Sequence, residues 1–163
     1  MSPGVSLDDA LELLHFGFRG IVLDPDRLLA RRNLGRVHHR VLYMVRRNHG
    51  LSVGDIVAVL GVTKQALHRP LGDLTRGGYL VAAADPADRR TRRILLTAKG
   101  RALEHALSER QRVAFARAFA EVGDAGARGW AGVMSILGHG QTSAALVAQA
   151  RARRPRRRRA SES

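Results

Sequence analysis

Residues 52–100 constrain this chain more than any other stretch. Val53, Ile56, Val57 and Leu60 fall at i, i+3, i+4 and i+7, so a short helix with one apolar stripe is predicted, capped by Ser52. Gly61 supplies a tight turn, because glycine enters the left-handed region at little cost. Thr63 caps a second helix that turns Leu67, Leu71 and Leu74 inward and closes at Gly77-Gly78. Two strand candidates follow, Tyr79 to Ala83 and Arg93 to Thr97, joined by the polar loop that holds Pro86. The order reads as a helix-turn-helix followed by a hairpin.

Helices are predicted on both sides of this unit. Leu7, Leu11, Leu14, Phe18 and Ile21 repeat at helical spacing behind Ser6, with Asp8 and Asp9 in the first turn. Asp24-Pro25-Asp26 should then break or turn the chain. Val37, Val41, Met44 and Val45 mark the next helix, which stops near Asn48-His49-Gly50. After the hairpin, Thr97 starts a long helix to about Glu121, and Asp124 caps a last one carrying Trp130, Val133, Met134 and Leu137. The expected fold is mostly α, a single domain over residues 1–150 with a small antiparallel hairpin wing. Its winged helix-turn-helix spans about 34–98, and helices at about 6–23 and 98–138 bracket it. Those outer helices hold more apolar surface than one copy readily covers, which predicts a two-fold homodimer, unless they simply cover one another.

Formal net charge is +14. Residues 151–163 hold seven arginines against one glutamate and should be a disordered tail, yet residues 1–150 are basic without them. Such a balance favours a polyanion, through release of counterions from phosphates. Cysteine is absent, no apolar run of about 18 residues occurs, and the start lacks a secretory pattern. A cytoplasmic protein is the expectation.

With Leu67, Leu71 and Leu74 inward, Lys64, Gln65, His68 and Arg69 face outward, Gly72 one turn on. Gln and Arg pair bidentately with adenine and guanine edges, and Thr63 and Lys64 suit phosphates or bases. A solvated polar face is the plainer alternative for such a helix. The loop shifts that balance, because Arg89, Arg90, Arg92 and Arg93 crowd one turn, and a narrow minor groove attracts inserted arginine. Asp88 repels phosphate, so its role would be to orient an arginine, a loop neighbour or Arg69.

These residues carry a family resemblance. Leu51-Ser52-Val53-Gly54-Asp55-Ile56, Leu60 to Leu67, Gly78-Tyr79-Leu80-Val81, Asp85 to Arg90 and Leu96-Thr97-Ala98-Lys99-Gly100-Arg101 together resemble the multiple-antibiotic-resistance regulator (MarR) family of bacteria. The resemblance spans roughly residues 7–140. It implies a winged-helix homodimer on palindromic double-stranded operators, usually a repressor, often released by a small ligand. By position, Thr63, Lys64, Gln65, His68 and Arg69 would be recognition-helix contacts, Arg90 the wing-tip residue, and Asp88 the aspartate that holds an arginine. Two departures stand out. Pro70 lies inside the recognition helix and should kink it, and the arginine tail has no family counterpart.

Two other functions fit the same residues: an architectural, nucleoid-associated protein with little sequence preference, and an interaction subunit that has lost DNA contact. Enzyme motifs are missing. No nucleophile elbow or phosphate loop occurs, and Ser108 and Ser135 have no evident base. His38 and His39 point about 100° apart on a helix and cannot chelate one ion, so neither metal nor cofactor is called for. His38 should be a hydrogen-bonded core or interface residue. By resemblance an effector pocket would lie between the first, second and fifth helices, where Phe16, Phe18, His39 and Tyr43 line it or simply fill the core.

Overall fold

The computed structural model describes residues 4–85 and 91–153. The order is α1 (Leu7–Ala30), α2 (Arg36–Arg47), α3 (Val53–Leu60), α4 (Lys64–Arg76), β1 (Leu80–Ala84), β2 (Arg92–Leu96), α5 (Ala98–Leu137) and α6 (Ser143–Ala152). The strands pair antiparallel from Leu80 opposite Leu96 to Ala84 opposite Arg92. Leu51 adds one bridge to Ile94, its carbonyl accepting from the Ile94 N–H at 2.7 Å. Val41, Leu42, Leu51, Ile56, Leu67, Leu74, Leu80 and Leu107 lie in one core that joins α2–α4, the hairpin and the start of α5.

The first helix is longer than expected. Asp24-Pro25-Asp26 does not end it, because α1 continues to Ala30 with Pro25 inside. Proline removes one backbone bond, at about 3 kcal/mol in a regular helix. Here Pro25 is buried with Val22 and Leu29 on the face that meets the core, so apolar burial opposes that loss. The flanking aspartates are tied down as well: Asp24 lies 3.4 Å from Arg27, and Asp26 accepts from Arg36 at 2.7 Å. That partnership raises the Arg36 pKa.

α5 parts at Gly123 (φ 68°, ψ 179°), between the two helices expected there. A straight helix would hold residues 115 and 130 roughly 22 Å apart at 1.5 Å per residue. Instead the rings of Phe115 and Trp130 stand 5.1 Å apart with Phe119 beside them, so the second stretch folds back on the first. α6 departs from the expected order, which ends at the helix before it. Its large apolar residues are few and it is rich in alanine, so helix propensity builds it where apolar periodicity gives no signal. It carries Arg151 and Ala152, both expected in a disordered tail, within a helix; residues 154–163 of that tail lie outside the described residues.

The Leu-Thr-x-x-Gly stretch is the joint between hairpin and α5. The Thr97 hydroxyl accepts from the Gly100 N–H at 3.0 Å and donates to the Gly78 carbonyl at 2.7 Å. A Cβ at Gly100 would run into the Tyr79 carbonyl, the same oxygen that accepts from the Thr97 N–H at 3.1 Å. A second joint fastens α2 to α5. Glu104 is fully buried, one carboxylate oxygen accepting from Arg46 at 2.7 Å and the other from the Ser108 hydroxyl at 2.6 Å. His39 Nε2 stands 3.5 Å from that hydroxyl. Ser108 therefore has a histidine near it after all, but the acid bonds to the serine, not to the imidazole, so no relay for nucleophilic attack forms.

These joints can be probed by mutation and by pH. Gly100→Ala should destabilise by about 1–3 kcal/mol in urea melts, as overpacking does, despite alanine's better helix propensity. Burial holds the His39 pKa below its ordinary value, against weaker raising by Glu104 and Asp26. The fold thus prefers neutral His39, so its contribution is complete above the unfolded pKa and is lost as pH falls toward the folded one. Thermal melts between about pH 7 and pH 5 should show a loss of stability that His39→Gln makes shallower.

Candidate nucleic-acid interface

α4 is fixed in rotation by Leu67 and Leu74, both fully buried, with Leu71 half-buried between them. That leaves Gln65, His68 and Arg69 exposed on the other side of the helix, with Lys64 exposed in its first turn. Thr63 is exposed too, and its hydroxyl accepts from the Ala66 N–H at 3.1 Å, which caps the helix. The helix therefore begins with a positive dipole end beside Lys64, an arrangement that favours a phosphate there. Gly61 before it has φ 62°, the left-handed conformation expected of the turn residue.

Pro70 does not end α4, which continues from Lys64 to Arg76. The residues on either side explain why. Leu67 precedes and Leu74 follows the proline, both docked in the core. Asp73 adds a polar anchor, 3.4 Å from His38 Nε2 on α2, while His38 Nδ1 accepts from the Gly35 N–H at 2.9 Å. His38 is thus the hydrogen-bonded histidine expected, linking α2 to α4. The Ala66 carbonyl that loses its donor belongs to an exposed residue, where water can replace the bond. Asp73 also binds Arg76 and lies 3.8 Å from Arg69. Arg76 first, and then His38, hold its carboxyl below the usual range. Arg69 remains 90% exposed, so this long pair leaves it able to swing outward.

In the wing, Asp85 and Thr91 close the base of the loop through a bond from the Asp85 N–H to the Thr91 carbonyl at 2.9 Å. Arg92 is exposed and donates to the Ala82 carbonyl at 3.1 Å. Arg93 behaves differently. Its guanidinium pairs with Asp85 at 2.7 Å and donates to the Gly50 carbonyl at 3.1 Å, tying the wing to the chain ahead of α3. Of the two crowded arginines among the described residues, Arg92 and Arg93, the second is neutralised within the protein. Asp88, Arg89 and Arg90 lie outside the described residues. Sequence pattern points to position 88 for an arginine-holding aspartate and passes over the Asp85–Arg93 pair. Assigning Asp85 and Thr91 to the closing pair of the hairpin would place Asp85 near Arg93, two residues on.

Between α1 and α2 lies a cleft of about 160 Å³, lined among others by Phe18, Asp26, Arg36, His39 and Tyr43. Three of the four pocket candidates meet there. Phe16 does not line it and is 58% exposed on α1.

A family model described as MarR family matches residues 32–91, which holds α2–α4 and β1 and stops just ahead of β2. The HTH-type transcriptional regulator PetP of Rhodobacter capsulatus is 38% identical over 131 residues, covering 80% of this chain and 79% of that protein. Among solved structures, MarR family transcription regulator SP03579 has a TM-score of 0.69 at 20% identity, over 82% of this chain and 88% of its own. CouR from Rhodococcus jostii RHA1, bound to p-coumaroyl-CoA, has a TM-score of 0.63 at 23% identity, over 81% of this chain and 94% of its own. With the helix-turn-helix and wing in place and a relative this similar over most of its length, the chain belongs to the MarR family of winged helix-turn-helix transcription regulators.

Proposed function

We propose that this DNA-binding transcription regulator acts as a homodimer on a palindromic operator, as a repressor in the cytoplasm at the nucleoid. The observation that carries the reading is the face of α4: Lys64, Gln65, His68 and Arg69 stand exposed in the half of the helix ahead of Pro70. A helix-turn-helix presents that N-terminal half to base edges in the major groove. Gln65 and Arg69 are suited to adenine and guanine, with His68 between them; Thr63 and Lys64 are suited to phosphate. Arg92, with Arg89 and Arg90 of the loop, would serve the adjacent minor groove, Asp88 orienting one of them. The relationship to named transcription regulators, and side chains able to discriminate bases, favour this function over the architectural one.

Dimerisation is supported by the apolar surface one copy leaves open. Leu7, Leu11 and Leu14 on α1 are 79%, 67% and 49% exposed, and Ile136 and Leu137 at the end of α5 are 77% and 60% exposed. A row of this size on two neighbouring elements matches a subunit interface better than a monomer surface. The cleft beside Phe18, His39 and Tyr43 would take a small effector, with Arg40 on its wall favouring an anionic one and Arg36 there paired with Asp26. No helix among the described residues is long and apolar enough to cross a membrane.

Titration of labelled duplex tests the DNA reading. The chain should prefer its own promoter region to random sequence, and equal affinity at physiological salt would end the regulator reading. Gln65→Ala or Arg69→Ala should narrow that preference about tenfold or more, the usual worth of one bidentate base contact. Arg92→Gln should lower affinity for both duplexes, relax the preference only at the flanking A·T-rich positions and reduce the log–log salt slope by about 0.9 for each phosphate no longer neutralised. Leu11→Glu should yield a folded monomer in sedimentation equilibrium; an unchanged dimer would remove α1 from the interface.

A further inference from the structure

Asp73 sits where two helices cross. On α4 it is the i+4 neighbour of Arg69, and it also faces His38 in the first turn of α2. Both of its carboxylate oxygens are engaged. Oδ1 accepts from Arg76, and Oδ2 lies 3.4 Å from His38 Nε2. Because His38 Nδ1 accepts from the Gly35 N–H at 2.9 Å, the imidazole proton is on Nε2, and His38 donates to Asp73 while neutral. The next residue, Leu74, is fully buried. The carboxylate is therefore fixed to the body of the domain, and its partners, Arg76 foremost, keep it ionised.

The atom of Arg69 that faces this carboxylate decides what the pair can do. Arg69 Nε stands 3.8 Å from Oδ2, within ion-pair range and too far for a hydrogen bond. An acid on the Nε side leaves the Nη1 and Nη2 fork free at the far end of the guanidinium. That end-on fork is what a guanine edge accepts, through O6 and N7. Gly72, the i+3 neighbour of Arg69, has no side chain and open space around it, so nothing at that position crowds the guanidinium. In water a pair this long, with the arginine 90% exposed, contributes little. In a groove that excludes water the same pair strengthens, because the dielectric between its charges falls.

A carboxylate beside the reading face repels phosphates wherever the helix docks, so it lowers affinity for every sequence alike. An acid held there by contacts to two helices suits selection and not grip. We propose that Asp73 is a positioning residue for base selection: its anchored carboxylate takes the Nε side of Arg69 and aims the end-on fork at a guanine edge, in place of a phosphate. His38, as part of α2, sets where that carboxylate stands. This role rests on base reading by Arg69 in the proposed function, and it adds what holds that arginine to a base.

The test titrates the full-length chain, Asp73→Asn, Arg69→Ala and the double variant against a promoter duplex and a random duplex over a salt series. Asparagine has the shape of aspartate and its amide oxygen can still accept from His38, so helical circular dichroism should be retained. Asp73→Asn should bind the random duplex at least about twofold more tightly, with a salt slope steeper by about 0.9 as Arg69 gains a phosphate. Its promoter preference should narrow about threefold to tenfold. A purely structural role would instead weaken binding to both duplexes together. In the Arg69→Ala background, Asp73→Asn should change the preference by less than about twofold. An undiminished preference in Asp73→Asn, or the same narrowing with Arg69 absent, overturns the proposal and leaves base reading by α4 standing. If Arg69→Ala alone leaves the preference unchanged, Arg69 does not read bases, and the role of Asp73 falls with it.

Discussion

Burial of Leu67 and Leu74 fixes the direction of everything else on the proposed DNA-reading face. Both are fully buried, and on a helix of 3.6 residues per turn they leave α4 a single rotation. The outward set is then determined by sequence position alone. Were either leucine polar, Lys64, Gln65, His68 and Arg69 would have no fixed direction. The same burial accounts for Pro70. A proline between two docked turns loses one backbone bond at an exposed carbonyl, and the core contacts on either side keep the helix going.

The second constraint is electrostatic and sits at the wing root. A hairpin of two five-residue strands is marginal by itself. Here it is held by Leu51, by the Thr97 and Gly100 joint, and by Arg93 between Asp85 and the Gly50 carbonyl. Basic residues thus do two different jobs in a single turn of sequence. Arg93 holds the wing in place, while Arg92 lies along the strand, exposed and bonded to the Ala82 carbonyl. Composition counts these cations alike, and only the register separates them.

Most of the architecture is legible in the sequence because the apolar residues are strongly periodic. The cap at Ser52, the turn at Gly61, the rotation of α4 and the break after Glu121 can all be read from local chemistry. Three features cannot. Pro25 reads as a breaker because the sequence does not reveal that its ring is buried with Val22 and Leu29. α6 lacks a strong apolar stripe, and its one buried anchor, Val147, shows only against α3. The Asp85–Arg93 pair joins residues across the hairpin, so it follows from strand register and not from the local pattern of the loop. Each miss is a tertiary contact overriding a local signal.

On the proposed reading, α4 enters the major groove by its N-terminal half, once in each half-site. Because the chain has no cysteine, Gln65→Cys creates a single attachment point for an iron chelate that cuts DNA locally. On promoter fragments retained by the protein, a two-fold pair of such helices predicts cuts in two clusters, separated by about 10–10.5 base pairs or a multiple of that spacing. An even ladder of cuts, or none above the level of free chelate, would contradict it.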